Sequence, residues 1–97
     1  MEPGQERASN RVLRIFCDYD AEWPLWEFGL QSAEDYGLSE ELSSKLSAWN
    51  EDFQVHMHWE RGWSEGFGEN KWNETGRQLA LEVQREVGEE ILVVYGV

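Results

Sequence analysis

WNETGRQLALEVQREVGEEILVVY, residues 72–95, carries two different periods in one run. Trp72, Gly76, Leu79, Ala80, Val83 and Val87 recur at the three- and four-residue steps that place side chains on a single helix face. The helix is expected to begin near Asn70 or Asn73 and to stop at Gly88, a residue that tolerates the left-handed backbone on which helices commonly end. Two acids later the pattern changes. Residues 91–95, ILVVY, are apolar at every position, as in a strand buried on both faces. Gly76 lies inside the helix face, where glycine costs about 1 kcal/mol relative to alanine. Its presence predicts that a second backbone, of another helix or of the sheet, passes close at that point.

Working back from this helix and strand, VLRIFCDY (12–19) alternates Leu13, Ile15, Cys17 and Tyr19 against Val12, Arg14, Phe16 and Asp18. That is the period of a strand with one face more apolar than the other. Leu42, Leu46, Trp49 and Phe53 form a second helical stripe, entered through Ser39 as N-cap with Glu40 and Glu41 in the first turn. Glu41 and Lys45 are placed for an i,i+4 ion pair on its flank. The segment 20–38 is long for a plain connection, and Pro24 keeps its neighbourhood out of a central strand. The order is therefore β, ordered loop, α, α, β. It defines an α+β fold, a small two-layer domain over residues 11–97 in which a helical hairpin packs on a small sheet. Two strands make a thin sheet, so completion is expected either from an edge strand at 23–29 or from a second chain pairing edge to edge. Residues 1–10 are polar, contain Pro3 and Gly4, and are expected to form a disordered tail.

The chain has 97 residues, enough for one core. Its single cysteine, Cys17, excludes an internal disulfide and a Cys-rich zinc or redox motif. A reducing cytoplasm is the expected location. The first residues lack the apolar core of a signal peptide, and the longest apolar run is the five residues 91–95, so neither export by that route nor membrane insertion is expected. The net charge is −12, from 20 acidic and 8 basic residues. Such a surface repels phosphate, which argues against nucleic acid as a direct ligand and favours a basic protein partner. Residues 18–60 hold eleven acids against Lys45 alone and account for −10 of the charge. In most proteins a charged stretch of this kind serves solubility.

Side chains that could carry chemistry are few. His56 and His58 are two residues apart, which on a helix turns them about 200° from each other and prevents joint coordination of one ion. On a strand they would face the same way but still need a third ligand. No metal site and no cofactor is expected, and the histidines are placed in the last turn of the first helix, favoured there by its dipole. Cys17 reads as a small buried hydrophobe, not a nucleophile. GWSEGFGENK (62–71) is glycine-rich, but Glu65 and Glu69 would repel phosphate, so it reads as a helix-to-helix turn. The six tryptophans are the outstanding feature. Trp49 and Trp72 fall on the helical stripes and are explained by burial. Trp23, Trp26, Trp59 and Trp63 do not. They either cover the ends of a small core or form an aromatic anchor within an acidic rim, the composition of a protein-binding surface. The candidate partner-binding residues are Trp23, Trp26, Glu40, Glu41, Glu51, Asp52, Trp59 and Trp63, with no catalytic residue among them.

WPLW (23–26), GLSEEL (37–42), KLSAWNEDF (45–53), the Gly62–Trp63 pair and WNETGRQLALEVQREVG (72–88) followed by VVY resemble a set of short, acidic, tryptophan-rich actinobacterial proteins of unassigned function. The resemblance implies a shared fold and carries no activity. Three functional classes follow from the residues. The first is a non-catalytic binding protein, most concretely an immunity or antitoxin-like inhibitor that lays the acidic 18–60 face over a basic partner. The second is a dimerisation or subunit-interaction module, for which a homodimer would complete the sheet. The third is a small metal-dependent enzyme built on His56, His58 or Cys17.

Overall fold

The computed structural model describes residues 10–97. The tail expected over residues 1–10 lies outside them except for Asn10. In chain order the elements are β1 (Arg11–Ile15), β2 (Leu25–Trp26), β3 (Leu30–Gln31), α1 (Glu40–His56), β4 (Met57–His58), β5 (Gly62–Trp63), α2 (Glu69–Val87) and β6 (Ile91–Tyr95), with a 3-10 turn at Ala33–Tyr36 before α1. This is the expected α+β, two-layer arrangement of strand, ordered loop, helical hairpin and strand.

Leu13 and Ile15 of β1 face the helices and are completely buried. The strand stops at Ile15, short of the Tyr19 that the alternation predicts. Pro24 explains the early end. The Phe16 N–H donates to the Pro24 carbonyl at 3.2 Å, and proline has no N–H to return, so the ladder cannot continue there. The long segment nevertheless supplies the missing strands. β2 pairs antiparallel with β1, and β3 pairs antiparallel with β2, while β6 lies parallel to β1 on its other side. The sheet order is β3-β2-β1-β6, all from one chain. β2 is thus an inner strand instead of the edge expected at 23–29. Pro24 stands just before it and spoils only the end of the pairing.

A parallel pair requires a crossover, and the helical hairpin provides it. Ser39 caps α1 as expected, its Oγ accepting from the Leu42 N–H at 3.1 Å. The same Oγ donates to Glu86 Oε2 at 2.7 Å, which fastens the start of α1 to the end of α2. Leu42, Leu46, Trp49 and Phe53 are buried as predicted. Lys45 does not pair with Glu41 along the helix; its ammonium meets Glu82 of α2 at 3.3 Å, across the hairpin.

α2 begins at Glu69, behind a Gly68 that offers no side-chain cap, and Gly88 closes it with φ +84°. Gly76 is buried at the crossing, but what approaches it is not a backbone. A Cβ there would lie 2.6 Å from Cε1 of Tyr95 and closer still to Cζ2 of Trp49. The missing side chain makes room for two rings. Trp49 and Trp72 stack at 4.5 Å between centroids, and each indole N–H donates to the other residue's carbonyl, at 2.8 and 3.1 Å. These reciprocal bonds join α1 to α2 while satisfying both indole donors.

β6 departs from its sequence pattern. Ile91 is buried, yet Leu92 is 59% exposed, so the strand is not covered on both faces. The helices shield a single side of the sheet, and β6 lies at its edge. The Gln84 amide guards that edge, accepting from the Val93 N–H at 2.9 Å and donating to the Ile91 carbonyl at 2.8 Å.

Candidate functional site

Glu40, Glu41, Glu51 and Asp52 are all exposed on α1. Eleven residues turn a helix by three revolutions and about 20°, so Glu40 aligns with Glu51, and Glu41 with Asp52, about 16 Å further along the axis. The four acids share one solvent face but form two separate pairs. The turn after β1 brings more charge to the second pair. Asp20 N–H donates to Gln54 Oε1, Gln54 Nε2 to the Asp18 carbonyl, and Asn50 Nδ2 to the Ala21 carbonyl, each at 2.9 Å. Tyr19 also meets Phe53 edge-on at 5.3 Å. Asp18 and Asp20, both exposed, are thereby held beside the C-terminal half of α1.

The four candidate tryptophans do not meet. Trp59 stands at the turn between β4 and β5 and is 76% exposed. Trp63 turns inward from the same hairpin, stacked on Phe67 at 5.2 Å and 4.7 Å from Trp72. Trp23 packs against the core. Trp26 stacks on Phe16 at 5.0 Å, and its indole N–H donates to the Phe16 carbonyl at 3.0 Å. Among the described residues, Trp59 alone of the four neither packs against the core nor stacks on another ring.

His56 does end α1, where it stacks on Phe67 at 4.3 Å. His58 does not share that last turn. It belongs to β4, and its Nε2 lies 3.3 Å from Ser64 Oγ. The helix gives way because Met57 takes an extended backbone and pairs with Trp63, while His58 pairs with Gly62. The glycine-rich stretch therefore starts as half of a hairpin, only its middle is a turn, and it ends in the first residues of α2. The alternation of Val55, Met57 and Trp59 with the histidines was the sign of this in the sequence. Among the described residues no three His, Cys, Asp or Glu side chains are grouped to hold a metal ion. Cys17 is partly buried against the core, and burial pushes its thiol well above the ordinary range, which disfavours the nucleophilic thiolate.

Two features escaped the sequence reading. Between α1 and α2 runs an open groove of about 570 Å³, floored by Trp49, Trp72 and Leu79 and edged by Lys45, Asp52 and Glu74. The second is Phe28, fully exposed in the loop between β2 and β3 with a φ of +61°. Its neighbour Glu27 is firmly anchored. Arg11 donates to both Glu27 oxygens, at 2.7 and 2.9 Å, and the Tyr36 hydroxyl to Oε1 at 2.6 Å. The Arg11 guanidinium, helped by Tyr36, lowers the Glu27 carboxyl to about 2 despite its burial.

The span from β1 to the end of β6, residues 11–96, matches the model of a family described as Serratia CdiI immunity protein-like. The chain belongs to that family. A search of the curated proteins finds no match. The span that places it among the CdiI immunity protein-like proteins includes every strand and both helices, and with them the acids of α1, Trp59 and Phe28. No helix of the described residues is long and apolar enough to cross a membrane.

Proposed function

We propose that the chain is an immunity protein, a non-catalytic inhibitor that binds a protein toxin and blocks its action. The observation that carries this reading is the family match over residues 11–96. The chemistry of the surface supports it. Cys17 is poorly placed to react, His56 stacks on Phe67, His58 lies against Ser64, and Trp59 and Phe28 stand exposed.

The toxin is a basic protein in this reading, and the acids of residues 18–60 act mainly before contact. A charge of −10 concentrated in one segment attracts a basic partner over about a Debye length, ~8 Å at physiological salt, and so accelerates encounter. Glu40, Glu41, Glu51 and Asp52 contribute to this steering, and the exposed Trp59 adds apolar contact at the end of α1. The inhibitor acts in the cytoplasm, where Cys17 stays reduced.

The test pairs the chain with a toxin-like polypeptide sought among the genes next to its own. Co-expression should restore growth to cells making that polypeptide, and the purified proteins should form a complex. Raising salt to about 0.5 M, where the Debye length is ~4 Å, should slow association strongly and change dissociation little. Reversing the four α1 acids to lysine should reproduce the salt effect. Failure of the wild-type chain to protect or to bind would overturn the immunity reading. Association insensitive to both salt and charge reversal would remove the steering role alone.

A further inference from the structure

Among the described residues, nothing covers the face of the sheet turned away from the helices. The pairing registers set Leu30, Trp26, Arg14 and Val94 side by side in one row across all four strands. Leu30 and Leu92 are exposed there, and Trp26 is half-buried. Arg14 is exposed in the central part of this row, and its guanidinium makes no hydrogen bond or ion pair with the described residues, in a chain with 20 acids. At the margin stands Phe28. A bulky residue in the left-handed region is a costly outlier, and its exposed ring returns no burial within the fold. The loop that presents it is anchored through Glu27, so the backbone at Phe28 is held in place before any partner arrives.

We propose that this uncovered face, with Arg14 near its centre and Phe28 at its margin, is where the toxin docks. The toxin meets it with an apolar patch that contains one carboxylate opposite Arg14 and a pocket for the Phe28 ring. The inference rests on the immunity reading. It assigns the contact surface to the sheet, whereas the acids of α1 steer from the other layer.

Charge and area favour such a partner over a second copy of this chain. A guanidinium covered by apolar surface loses its water and needs a carboxylate to replace it. Two copies packed face to face would instead bring two Arg14 side chains together. β1 and β6 are five residues long and β2 and β3 two, so at about 3.3 Å per residue and about 4.8 Å between strands the face spans roughly 220 Å². A stable interface buries about 800 Å² on each partner. The face therefore suits a partner that continues beyond it, over Phe28.

The experiment measures affinity for that toxin-like polypeptide with Arg14→Ala, Arg14→Glu and Phe28→Asn, and records the melting temperature and sedimentation of each chain alone. Asparagine tolerates the left-handed region, so Phe28→Asn should melt no lower than wild type while binding at least about 30-fold more weakly. Arg14→Ala should weaken binding by at least about 30-fold and Arg14→Glu by more, because glutamate would oppose the partner's carboxylate. Arg14→Glu binding better than Arg14→Ala would overturn the proposed carboxylate. Wild-type affinity in both Arg14→Glu and Phe28→Asn would overturn the docking face while leaving the immunity reading standing, whereas a wild-type chain that does not bind would remove both. A wild-type dimer that Arg14→Glu alters would assign the face to a second copy and likewise overturn the proposal.

Discussion

Replacing Gly76 by alanine should destabilise the protein, although the same change in an ordinary helix interior stabilises by about 1 kcal/mol. The added Cβ would lie 2.6 Å from Cε1 of Tyr95 and 2.9 Å from Cε2 of Trp49, with Cζ2 of Trp49 nearer still. Favourable carbon contacts begin at about 3.5 Å, so the rings would have to retreat by about 1 Å. Neither can do so cheaply. Trp49 is 3% exposed, stacked on Trp72 and joined to it by two hydrogen bonds. The Tyr95 hydroxyl donates to Asn73 Oδ1 at 2.8 Å. Overpacking costs about 1 to 3 kcal/mol; with three ring atoms inside 3.0 Å of the new Cβ the cost falls in the upper half of that range, about 2 to 3 kcal/mol, and the gain in helix propensity offsets about 1 of it. The net loss should be roughly 1 to 2 kcal/mol, or about 5 to 15 °C in melting temperature for a domain of this size. Urea unfolding followed by tryptophan fluorescence, with thermal melts by circular dichroism, would measure both. In a Trp49→Phe background the cost of alanine should shrink by more than about 0.5 kcal/mol, since the ring it strikes is smaller. A Gly76→Ala chain as stable as wild type, or more so, would refute the close contact of α2 with the two rings.

Glu27 gives the fold a pH dependence of defined sign. Its carboxyl lies at about 2 instead of the ordinary 4.5, so its ionised contacts stabilise the fold above about 4.5, and that contribution is lost as the pH falls from there through about 2. Glu27→Gln should be less stable than wild type at neutral pH and lose less across that window; parallel stability curves for the two chains would show that the Arg11 contact carries no linkage. Leu46→Ala and Leu79→Ala, at positions 0% and 3% exposed, should each cost about 2 to 5 kcal/mol in denaturant unfolding. Values under about 1 kcal/mol at both would contradict the packing of the helical hairpin.

Periodicity alone determined the two long helices, the cap at Ser39, the stop at Gly88 and the alternating buried face that starts β1, because each depends on residues within a few positions of one another. That most of the acids stay exposed was also legible, since charged side chains rarely go inside. Pairing was not. Whether residues 25–31 would form strands depended on β1 being available to bond them, and two-residue strands such as β2 and β3 are too short to show a period of two. Gly76 announced a close approach, but that the visitors were Trp49 and Tyr95 followed from how α1 and β6 meet α2 in space. The tryptophans make the same point most sharply. Composition marks them as a group, yet burial separates Trp63 from Trp59, two side chains of one hairpin, because only one of its sides faces the aromatic interior. Phe28 carries no local signal, and the alternation that sets Arg14 opposite Leu13 and Ile15 does not say that its face stays open. Their standing on the open side of the sheet is a property of which face the helices cover, and a helical hairpin can cover only one.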